Sequence, residues 1–572
     1  MITTRPLDPG FREQAWQALD GGHFDLVVVG AGVTGAGIAL DAATRGLKVA
    51  LVEQADLASG TSSRSSKLFH GGLRYLEQLN FGLVREALRE RELMLTRLAP
   101  HLVKPVSFLY PLSHRVWERP YVTAGLTLYD RMGGARSVPG HAQLSRRGAL
   151  RLAPALRPDA LVGALRYYDA QADDARHTMM LARTAAAYGA TVATSVQVTD
   201  FDQVGERVVG VQLRDVETGA TCSVRSSVVV NASGVWTDSV QALSGAGGRF
   251  RVRASKGVHL VVPRHRIPSE TGLILRTEKS VLFVIPWGTH WIVGTTDTDW
   301  NLDLAHPAAS RSDIDYILDH VNTVLASPLT HDDIEGVYAG LRPLLSGESD
   351  STSQLSREHA VARSQPGLVS VAGGKYTTYR VMAADAVDLA REDLPGVVPD
   401  SVTEDIPLLG AEGYAALVHQ LPQLAARSGL PEWRVRHLLD RYGSLVHELF
   451  ALADAEPDLW EPVADAPEYL RVEIRYAATH EGALHLDDVL ARRTRISIET
   501  PDRGVACAAE AAALMGAALG WDAERTDDEV DAYAARVAAE RESQRAEHDL
   551  DANAERLVAP DIRRRSVGRA LS

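Results

Sequence analysis

The sequence predicts an α/β protein with a Rossmann-like unit near its N-terminus, a mixed β-sheet in the middle and a helical C-terminal region. Three observations support this class. Residues 24–53 place an apolar strand, a glycine-rich turn, a helix-like run and a second strand in succession. Short apolar runs typical of strands recur between residues 226 and 294. After residue 400, alanine- and leucine-rich segments with helical spacing dominate.

The first unit reads FDLVVVGAGVTGAGIALDAATRGLKVALVE. Gly30 allows a tight strand-to-helix turn, Gly32 lets a pyrophosphate approach the backbone, and Gly35 lets the helix pack close to the strand. The N-terminus of that helix offers N–H groups and a positive dipole end to phosphates. Glu53 follows Gly35 at a spacing near the roughly 20 residues expected of an acid that binds a ribose hydroxyl. The unit predicts a dinucleotide site without distinguishing FAD from NAD.

Two helices are predicted in the first half of the chain. The segment 81–98 has apolar residues at a spacing near 3.6 and stops before Pro100. The segment 173–188 has the same spacing, with Asp173 or Asp174 near its start as a capping residue.

The middle of the chain predicts strands. A buried strand begins the segment 226–238 and breaks at small residues. Further strands are expected at 256–262, 281–285 and 291–294, in a mixed or antiparallel sheet that carries a substrate site. The segment 369–380 again predicts a strand, a glycine turn and a helix start.

Helices are expected over 412–428, 433–453 and 504–518, and a charged helical segment over 526–550. The tail from Asp551 carries a terminal arginine cluster (Arg563, Arg564, Arg565 and Arg569) and is expected to be mobile. We divide the chain into an N-terminal leader (1–22), a dinucleotide-binding domain interleaved with a substrate domain (23–400), a helical domain (401–525), and a charged helix with a flexible tail (526–572).

Composition excludes several classes of protein. The chain has 572 residues and a net charge of −14, which argues against broad nucleic-acid binding. Its two cysteines, Cys222 and Cys507, suggest neither a disulfide framework nor a metal site, and His480 and His485 have no clear third ligand. The N-terminus is not a secretory signal and no apolar run is long enough for a membrane span, so any membrane association would be peripheral.

Several residues could bind and oxidise a small anion. His70 precedes the Gly71-Gly72 pair, and its ordinary pKa near working pH makes it a candidate base. Cationic side chains near glycine turns could bind the anion. These candidates are Arg74, Arg342, Arg357 and Lys375.

Taken together, the motifs resemble those of the FAD-dependent glycerol-3-phosphate dehydrogenases, the quinone-linked flavoenzymes of aerobic glycerol metabolism, in their actinobacterial form. The similarity runs from about residue 23 to 400 and extends to the helical C-terminal domain. It rests on VVVGAGVTGAGIALDAATRGLKVALVE, TSSRSSKLFHGGLRYLE, VVVNASGVWTD, KGVHLVVP, FVIPWGTHWIVGTTDTDW, YAGLRPL and GGKYTTYR.

The resemblance implies FAD as cofactor and a fold like those of glutathione reductase and D-amino-acid oxidase, with an inserted mixed-sheet substrate domain. By position, Gly30, Gly32, Gly35 and Glu53 would bind the ADP half. The flavin and its linker would contact a second set of residues. That set is Thr61, Ser62, Ser63, Lys67, Leu68, Gly71, Gly72, Ala232, Gly234, Trp236, Gly340, Gly374, Lys375 and Thr377.

The activity that the resemblance implies is hydride transfer from C2 of sn-glycerol 3-phosphate to flavin N5, which yields dihydroxyacetone phosphate. His70, or a base acting through water, would take the hydroxyl proton. Arg342 and Lys375 would lie at the junction of flavin and substrate, and Lys375 would stabilise the developing alkoxide. Substrate contacts are expected from Arg74, Tyr75, Arg342, Arg357 and Lys375.

The resemblance further implies electron transfer to a membrane quinone, a cytoplasmic location with peripheral contact at the inner face of the membrane, and a homodimer. Three alternatives remain open. One is a glycerol-3-phosphate oxidase that uses dioxygen, and another is an amine or amino-acid oxidase on the same scaffold. The third is a regulatory protein that binds flavin or nucleotide without catalysis.

Overall fold

The computed structural model describes residues 4–72, 80–114, 118–133, 137–245, 250–277, 281–346 and 359–563. Its strands in chain order are β1 His23–Val29, β2 Val49–Val52, β3 Leu68–Phe69, β4 Lys104–Leu112, β5 Ala142–Ser145, β6 Gly163–Gln171, β7 Thr191–Ala193, β8 Val196–Val204, β9 Arg207–Asp215, β10 Thr221–Asn231, β11 Val252–Pro263, β12 Gly272–Arg276, β13 Val281–Trp287, β14 His290–Gly294, β15 Thr298–Trp300, β16 Gly336–Leu345, β17 His359–Gln365, β18 Leu368–Gly373, β19 Pro462–Val463 and β20 Ala466–Leu470.

The α-helices connect these strands and then build the C-terminal region. They are α1 Pro9–Leu19, α2 Val33–Thr44, α3 Phe81–Leu93, α4 Glu118–Gly133, α5 Arg146–Leu152, α6 Asp174–Ala187, α7 Thr237–Ala242, α8 Arg311–Asn322, α9 Tyr379–Ala390, α10 Tyr414–His419, α11 Leu421–Ser428, α12 Glu432–Tyr442, α13 Val446–Ala455, α14 Arg471–His480, α15 Leu486–Asp488, α16 Ile496–Glu499, α17 Ala508–Leu519, α18 Ala523–Ser543 and α19 Asp549–Leu557.

One sheet is doubly wound. Its strand order is β17-β18-β10-β1-β2-β7, and β18, β10, β1, β2 and β7 run parallel. Strands β1 and β2 are apolar on both faces because helices cover both sides of a parallel sheet. The chain leaves β1 toward β2 and returns to the other side of β1 as β10. That reversal creates a switch point at the carboxyl ends of β1 and β10.

The second sheet is mixed, as the sequence predicted. Its order is β15-β11-β14-β13-β12-β4-β6-β3, with β16 paired to β11 and β5 paired to β6. Strands β11, β13 and β14 are antiparallel neighbours, and only the β12–β4 pairing among those recorded in this sheet is parallel. Separate clusters of buried apolar side chains pack on the sheet, which makes it a rigid platform beside the first sheet.

The predicted helices are confirmed with small differences. Helix α3 continues as a π turn at Met94–Leu98, so the predicted helix over 81–98 is complete. Asp173 caps α6, and its side chain accepts the backbone N–H of Arg176 at 3.2 Å. The two long C-terminal helices predicted over 412–428 and 433–453 are each divided in two, the second at Gly443, whose φ is +57°.

The expectation of a mobile tail from Asp551 is wrong for residues 551–563. Helix α19 packs against the body, and Arg563 is buried. Its Nη2 lies 2.9 Å from both carboxylate oxygens of Asp488, and its Nε donates to Ser195 Oγ at 3.0 Å. A terminal arginine run predicts a solvated segment, but buried acceptors elsewhere in the chain bind the first of these arginines.

Among the described residues, no helix is both long enough and apolar enough to cross a membrane. Both cysteines are buried free thiols. Burial raises the pKa of Cys222 to about 11 and that of Cys507 to about 12, so both are protonated at neutral pH.

Candidate active site

A cavity of about 500 Å³ opens at the carboxyl ends of β1, β2, β10 and β18. Its walls include Val29, Val52 and Gly373, which end β1, β2 and β18, and Ala232, which directly follows β10. Ligands of open α/β sheets bind at this kind of position, where the strand order reverses.

The glycines of the first turn have the geometry that the sequence predicted. Gly30 has a φ of +101°, and a Cβ added there would lie 2.8 Å from the carbonyl oxygen of Ala232. A Cβ on Gly35 would lie 1.8 Å from the carbonyl oxygen of Gly30. The turn and the close contact between α2 and β1 therefore both require glycine.

The N-terminus of α2 faces the cavity. Gly32 is its N-cap residue and has no side chain to cap the helix. The N–H of Val33 donates to Ser62 Oγ at 2.8 Å. Since the first N–H groups of a helix have no intrahelical acceptor and lie at its positive dipole end, this rim is suited to phosphate oxygens.

Glu53 directly follows β2 at the edge of the cavity. Its Oε2 accepts the N–H of Ala31 at 2.8 Å, and its Oε1 accepts the N–H of Ala55 at 2.9 Å. Burial raises the pKa of the carboxyl group, while these two N–H groups oppose the rise. The two N–H bonds orient the carboxylate, and each oxygen keeps acceptor capacity for a ribose hydroxyl.

The cavity fits a dinucleotide. It extends from Glu53 and the α2 N-terminus to the turn after β18, where Gly373 and Gly374 have φ values of +73° and +80°. Part of the cofactor set named from the sequence lines it. These residues are Gly30, Gly32, Glu53, Thr61, Ser62, Ala232, Gly234, Trp236, Gly374 and Lys375.

Other residues of that set do not border the cavity. Leu68 pairs with Gln171 at the edge of the mixed sheet. The N–H of Gly71 donates to Tyr129 Oη at 2.9 Å, and Gly72 follows with a φ of +76°. A Cβ on Gly340 would lie 2.4 Å from the carbonyl oxygen of Arg64, so Gly340 allows that loop to pack on β16. Gly71 and Gly340 therefore allow close packing that a Cβ would prevent.

Lys67, which was expected beside the flavin, is also not among the residues that line the cavity. Its side chain is buried, and its Nζ donates to Asp174 Oδ1 at 2.7 Å and to the carbonyl oxygen of Ser63 at 3.2 Å. Burial and the nearby Arg495 lower the pKa of Lys67, and Asp174 opposes this. Lys67 therefore holds the loop at residues 61–67 in place through buried contacts.

Asp174 and Arg495, which sequence reasoning missed, complete this set of buried contacts. Asp174 Oδ2 accepts the N–H and the hydroxyl of Ser65 at 2.8 and 2.7 Å. Arg495 Nη1 donates to the carbonyl oxygen of Ser63 at 3.2 Å, and its Nη2 donates to Asp174 Oδ1 at 2.5 Å. A residue of the C-terminal region thus fixes the loop that carries Thr61 and Ser62.

Of the three residues named as catalytic, His70 and Arg342 are not among the residues that line the cavity. Lys375 lines it, and so does Pro343, which follows Arg342 on β16. The N–H of His70 donates to Thr377 Oγ1 at 3.2 Å, two residues beyond Lys375. The Arg342 guanidinium donates to Thr295 Oγ1 at 3.1 Å.

His259 is a further residue near Arg342. Its Nε2 lies 2.9 Å from Ser66 Oγ, and its ring stacks on Tyr338 at 4.7 Å between centroids. Burial, followed by the charges of Arg342 and Lys67, lowers the pKa of His259 well below its usual value, so the imidazole is neutral. Sequence reasoning did not single out His259, because it stands in the apolar run KGVHLVVP without a neighbouring motif.

The expected substrate contacts Arg74, Tyr75 and Arg357 lie outside the described residues.

The sheet order and the switch-point cavity define a dinucleotide-binding α/β protein. A family model described as FAD dependent oxidoreductase matches residues 25–380. A second model, described as the C-terminal domain of alpha-glycerophosphate oxidase, matches residues 401–526.

Named relatives match nearly the whole chain. A glycerol-3-phosphate dehydrogenase of Mycobacterium leprae is 63% identical over 98% of this chain and 96% of its own. Glycerol-3-phosphate dehydrogenase 2 of Mycobacterium tuberculosis is 64% identical over 97% of this chain and 95% of its own. The crystal structure of the Bacillus halodurans glycerol-3-phosphate dehydrogenase complexed with FAD has a TM-score of 0.77 and 29% identity, and covers 93% of this chain and 98% of that chain.

The chain therefore belongs to the FAD-dependent oxidoreductases, in the branch of the glycerol-3-phosphate dehydrogenases and in its actinobacterial form. FAD is the cofactor of this family, and the glycine turn, Glu53 and the open helix N-terminus fit its two phosphates and ribose.

Proposed function

We propose that the protein oxidises sn-glycerol 3-phosphate to dihydroxyacetone phosphate with FAD and passes the electrons to a quinone. The observation that carries this proposal is that Lys375 lines the cofactor cavity, while His70 is hydrogen-bonded to Thr377 and Arg342 directly precedes the lining residue Pro343. Two relatives more than 60% identical over nearly their full length are named as glycerol-3-phosphate dehydrogenases, which supports the same substrate here.

The substrate is a dianion with a hydroxyl group on its reacting carbon. Arg342 would bind its phosphate through a charge-assisted, fork-shaped contact. The donation from Arg342 to Thr295 Oγ1 fixes the guanidinium before the substrate arrives, so less side-chain entropy is lost on binding. Arg74 and Arg357 remain expected contributors to the same anion site.

Phosphate binding far from C2 orients the reacting carbon, which is a major source of rate in enzymes of this kind. When bound, FAD supplies the two-electron acceptor for the hydride that leaves C2. His70 would accept the proton of the C2 hydroxyl, directly or through one water molecule. The ammonium group of Lys375 would stabilise the negative charge that develops on that oxygen.

One contact in the structure supports the pairing of His70 with Lys375. Hydrogen bonds between His70 and Thr377 run in both directions, at 3.2 Å from the His70 N–H and at 3.3 Å from Thr377 Oγ1 to the His70 carbonyl oxygen. This contact ties the candidate base to the turn that carries Lys375. A base and an oxyanion stabiliser on adjoining segments can act on one hydroxyl group.

The acceptor in this proposal is a quinone, since the relatives are named as dehydrogenases. Reduction of a membrane quinone would require peripheral contact with the inner face of the cell membrane from the cytoplasm. We also propose a homodimer, as the resemblance to the family implies. A glycerol-3-phosphate oxidase, with dioxygen as acceptor, is the alternative for the second half-reaction.

Steady-state turnover with two acceptors tests the proposal. The FAD-loaded protein is assayed with sn-glycerol 3-phosphate and a water-soluble quinone under nitrogen, and separately in air without quinone, with hydrogen peroxide as the readout. We expect rapid quinone reduction and little peroxide. Peroxide formation at the rate of substrate oxidation would identify dioxygen, in place of the quinone, as the electron acceptor. No oxidation of this substrate with either acceptor would refute the proposed reaction.

A further inference from the structure

A second cavity, of about 580 Å³, lies against the cofactor cavity on the side of the C-terminal helices. We call it the arginine cavity. The loop at residues 59–64, the segment 302–309 and helices α18 and α19 contribute to its walls. Its lining includes Arg64, Trp236, His306, Tyr533, Arg536 and Arg556.

Among the described residues, six arginines and five acidic residues line the arginine cavity, so its cations exceed its anions by one. Arg536 and Arg556 share Glu540, at 3.0 and 3.6 Å. Arg64 donates to the carbonyl oxygen of Ala305 at 3.2 Å. Within the part of the chain that the structure describes, no carboxylate lies within salt-bridge distance of Arg64.

His306 lies between these cations. Its Nδ1 is 3.4 Å from Arg556 Nη2. Burial, Arg556 and Arg64 lower the pKa of His306 to about 4, and burial with the charge of Arg492 lowers the pKa of Arg64 to about 10. The imidazole is therefore a neutral group that can donate an N–H, and Arg556 and Arg64 act on it more strongly than the carboxylates of Asp561 and Asp303.

We propose that the arginine cavity binds a phosphate dianion, carried by a phosphomonoester or by free phosphate, between Arg64 and Arg556. Guanidinium groups match the oxygens of phosphate in charge and geometry. The cavity has room for more than the ion itself, and Trp236 and Tyr533 offer aromatic walls to the remainder of an ester.

This site would communicate with the cofactor. Gln54, Ser59 and Trp236 line both cavities, so one wall separates the two ligands. Arg64 directly follows the Thr61–Ser63 turn, and Arg556 belongs to the helix that closes the C-terminal region over the body. An anion bound by both arginines would connect α19 to the loop that borders the cofactor cavity, whichever substrate the enzyme oxidises.

Calorimetric titration of the FAD-loaded protein tests the site. Inorganic phosphate and phenyl phosphate are each titrated at constant ionic strength into the wild type and into the variants Arg64→Gln, Arg556→Gln and Arg545→Gln. Arg545 is an exposed arginine paired with Glu542 on the surface and serves as the matched control. An Arg342→Gln variant removes the proposed phosphate contact of the substrate site.

We expect saturable binding that is weakened at least about tenfold in Arg64→Gln and in Arg556→Gln, because each loses a charge-assisted contact. Binding in Arg545→Gln should equal that of the wild type, and in Arg342→Gln, which removes the proposed substrate-site contact, the binding that depends on Arg64 and Arg556 should persist. Tighter binding of phenyl phosphate than of phosphate identifies a phosphomonoester as the ligand, and equal or weaker binding identifies free phosphate.

Two results would overturn the proposal. One is the absence of saturable binding by either probe, and the other is binding that only Arg342→Gln abolishes, which would assign the phosphate to the substrate site. If the two glutamine variants do not fold, crystals of the FAD-loaded wild type soaked in phosphate give the decision. Density between Arg64 and Arg556 would support the site, and its absence would refute it.

Discussion

Arg495 Nη2 lies 2.5 Å from Asp174 Oδ1, and this contact joins the C-terminal region to the loop that borders the cofactor cavity. The same Asp174 oxygen accepts Lys67 Nζ at 2.7 Å. All three side chains are inaccessible or nearly so, at 3%, 0% and 0% exposure in the order Arg495, Asp174, Lys67. The C-terminal helices are thus part of the apparatus that shapes the flavin site.

Replacement of Arg495 by glutamine should weaken both folding and cofactor binding. Removal of one partner from a buried ion network costs about 3–5 kcal/mol, since the remaining charges stay buried. Because Ser63 also loses its Arg495 donor, we expect FAD to bind at least about tenfold more weakly to the folded variant. Urea unfolding and FAD titration of the apoprotein measure the two effects.

Arg427 offers a matched control for this variant. Its pair with Asp454 is exposed on both sides, so Arg427→Gln should change the free energy of unfolding by no more than about 1 kcal/mol and leave FAD affinity unaltered. If Arg495→Gln behaved like this control, the C-terminal region would have no role in the cofactor loop.

Alanine at Gly35 should abolish FAD binding or folding. Its Cβ would lie 1.8 Å from the carbonyl oxygen of Gly30, which forces α2 away from β1. In α3, Gly82 has no atom within 4 Å of an added Cβ, so Gly82→Ala should be neutral or stabilising by up to about 1 kcal/mol. Flavin content after purification and thermal unfolding distinguish the two variants. Normal flavin content in Gly35→Ala would disprove the proposed packing role.

Both the dinucleotide unit and the packing role of Gly35 could be predicted from sequence, because strand, turn, helix and acid are consecutive. The buried contacts among Lys67, Asp174 and Arg495 could not be predicted in this way. Arg495 and Asp174 are 321 positions apart, and neither stands in a motif that suggests a partner. The contact of Lys67 could not be predicted for the same reason. Its neighbours in TSSRSSKLF suggested contact with the cofactor, but its side chain donates to Asp174 at the start of α6.

The arginine run near the C-terminus shows the same limit of sequence reasoning. A run of arginines at a terminus is most often solvated, so the sequence predicts a solvated Arg563. Its acceptors Asp488 and Ser195 are 75 and 368 positions away, so only the folded chain reveals them. By contrast, the sequence alone was enough to propose His70 and Lys375, because each adjoins a double glycine.

Substitution of Arg342 by glutamine should lower kcat/KM for sn-glycerol 3-phosphate by about a hundredfold or more, mainly through KM, because a charge-assisted phosphate contact is lost. Lys375→Gln should act mainly on kcat, since its charge is needed as the alkoxide develops. Initial rates over a range of substrate concentrations separate the two. Arg253→Gln is the control, as Arg253 lies on β11 in the same sheet and pairs with Asp299 at an exposed edge. Loss of activity equal to that of Arg342→Gln in this control would remove the evidence for a specific phosphate contact.

The His485 contacts predict a pH dependence of stability. Burial and Arg563 lower the pKa of His485, but Glu217 and Glu529, at 2.9 and 2.8 Å, raise it more, to about 9. Since the folded pKa exceeds the unfolded value near 6.5, the stabilisation is complete below about pH 6.5 and is lost as the pH rises through 9. His485→Gln should therefore be less stable than the wild type by an amount on the order of 3 kcal/mol at about pH 6, and the difference should shrink toward pH 9.

Urea unfolding of both proteins at a series of pH values measures that difference. His447→Gln is the control, because His447 is exposed on α13. A difference between wild type and His485→Gln that stays constant from pH 6 to about 9 would contradict the charged state assigned to His485.

The most direct test of the central claim is the anaerobic absorbance of the FAD-loaded protein mixed with sn-glycerol 3-phosphate, with plain glycerol as control. The account predicts that the long-wavelength band of the oxidised flavin disappears with the phosphate ester and persists with glycerol, and that Arg342→Gln needs a far higher concentration of the ester for the same change. A flavin band that survives saturating sn-glycerol 3-phosphate would contradict the account.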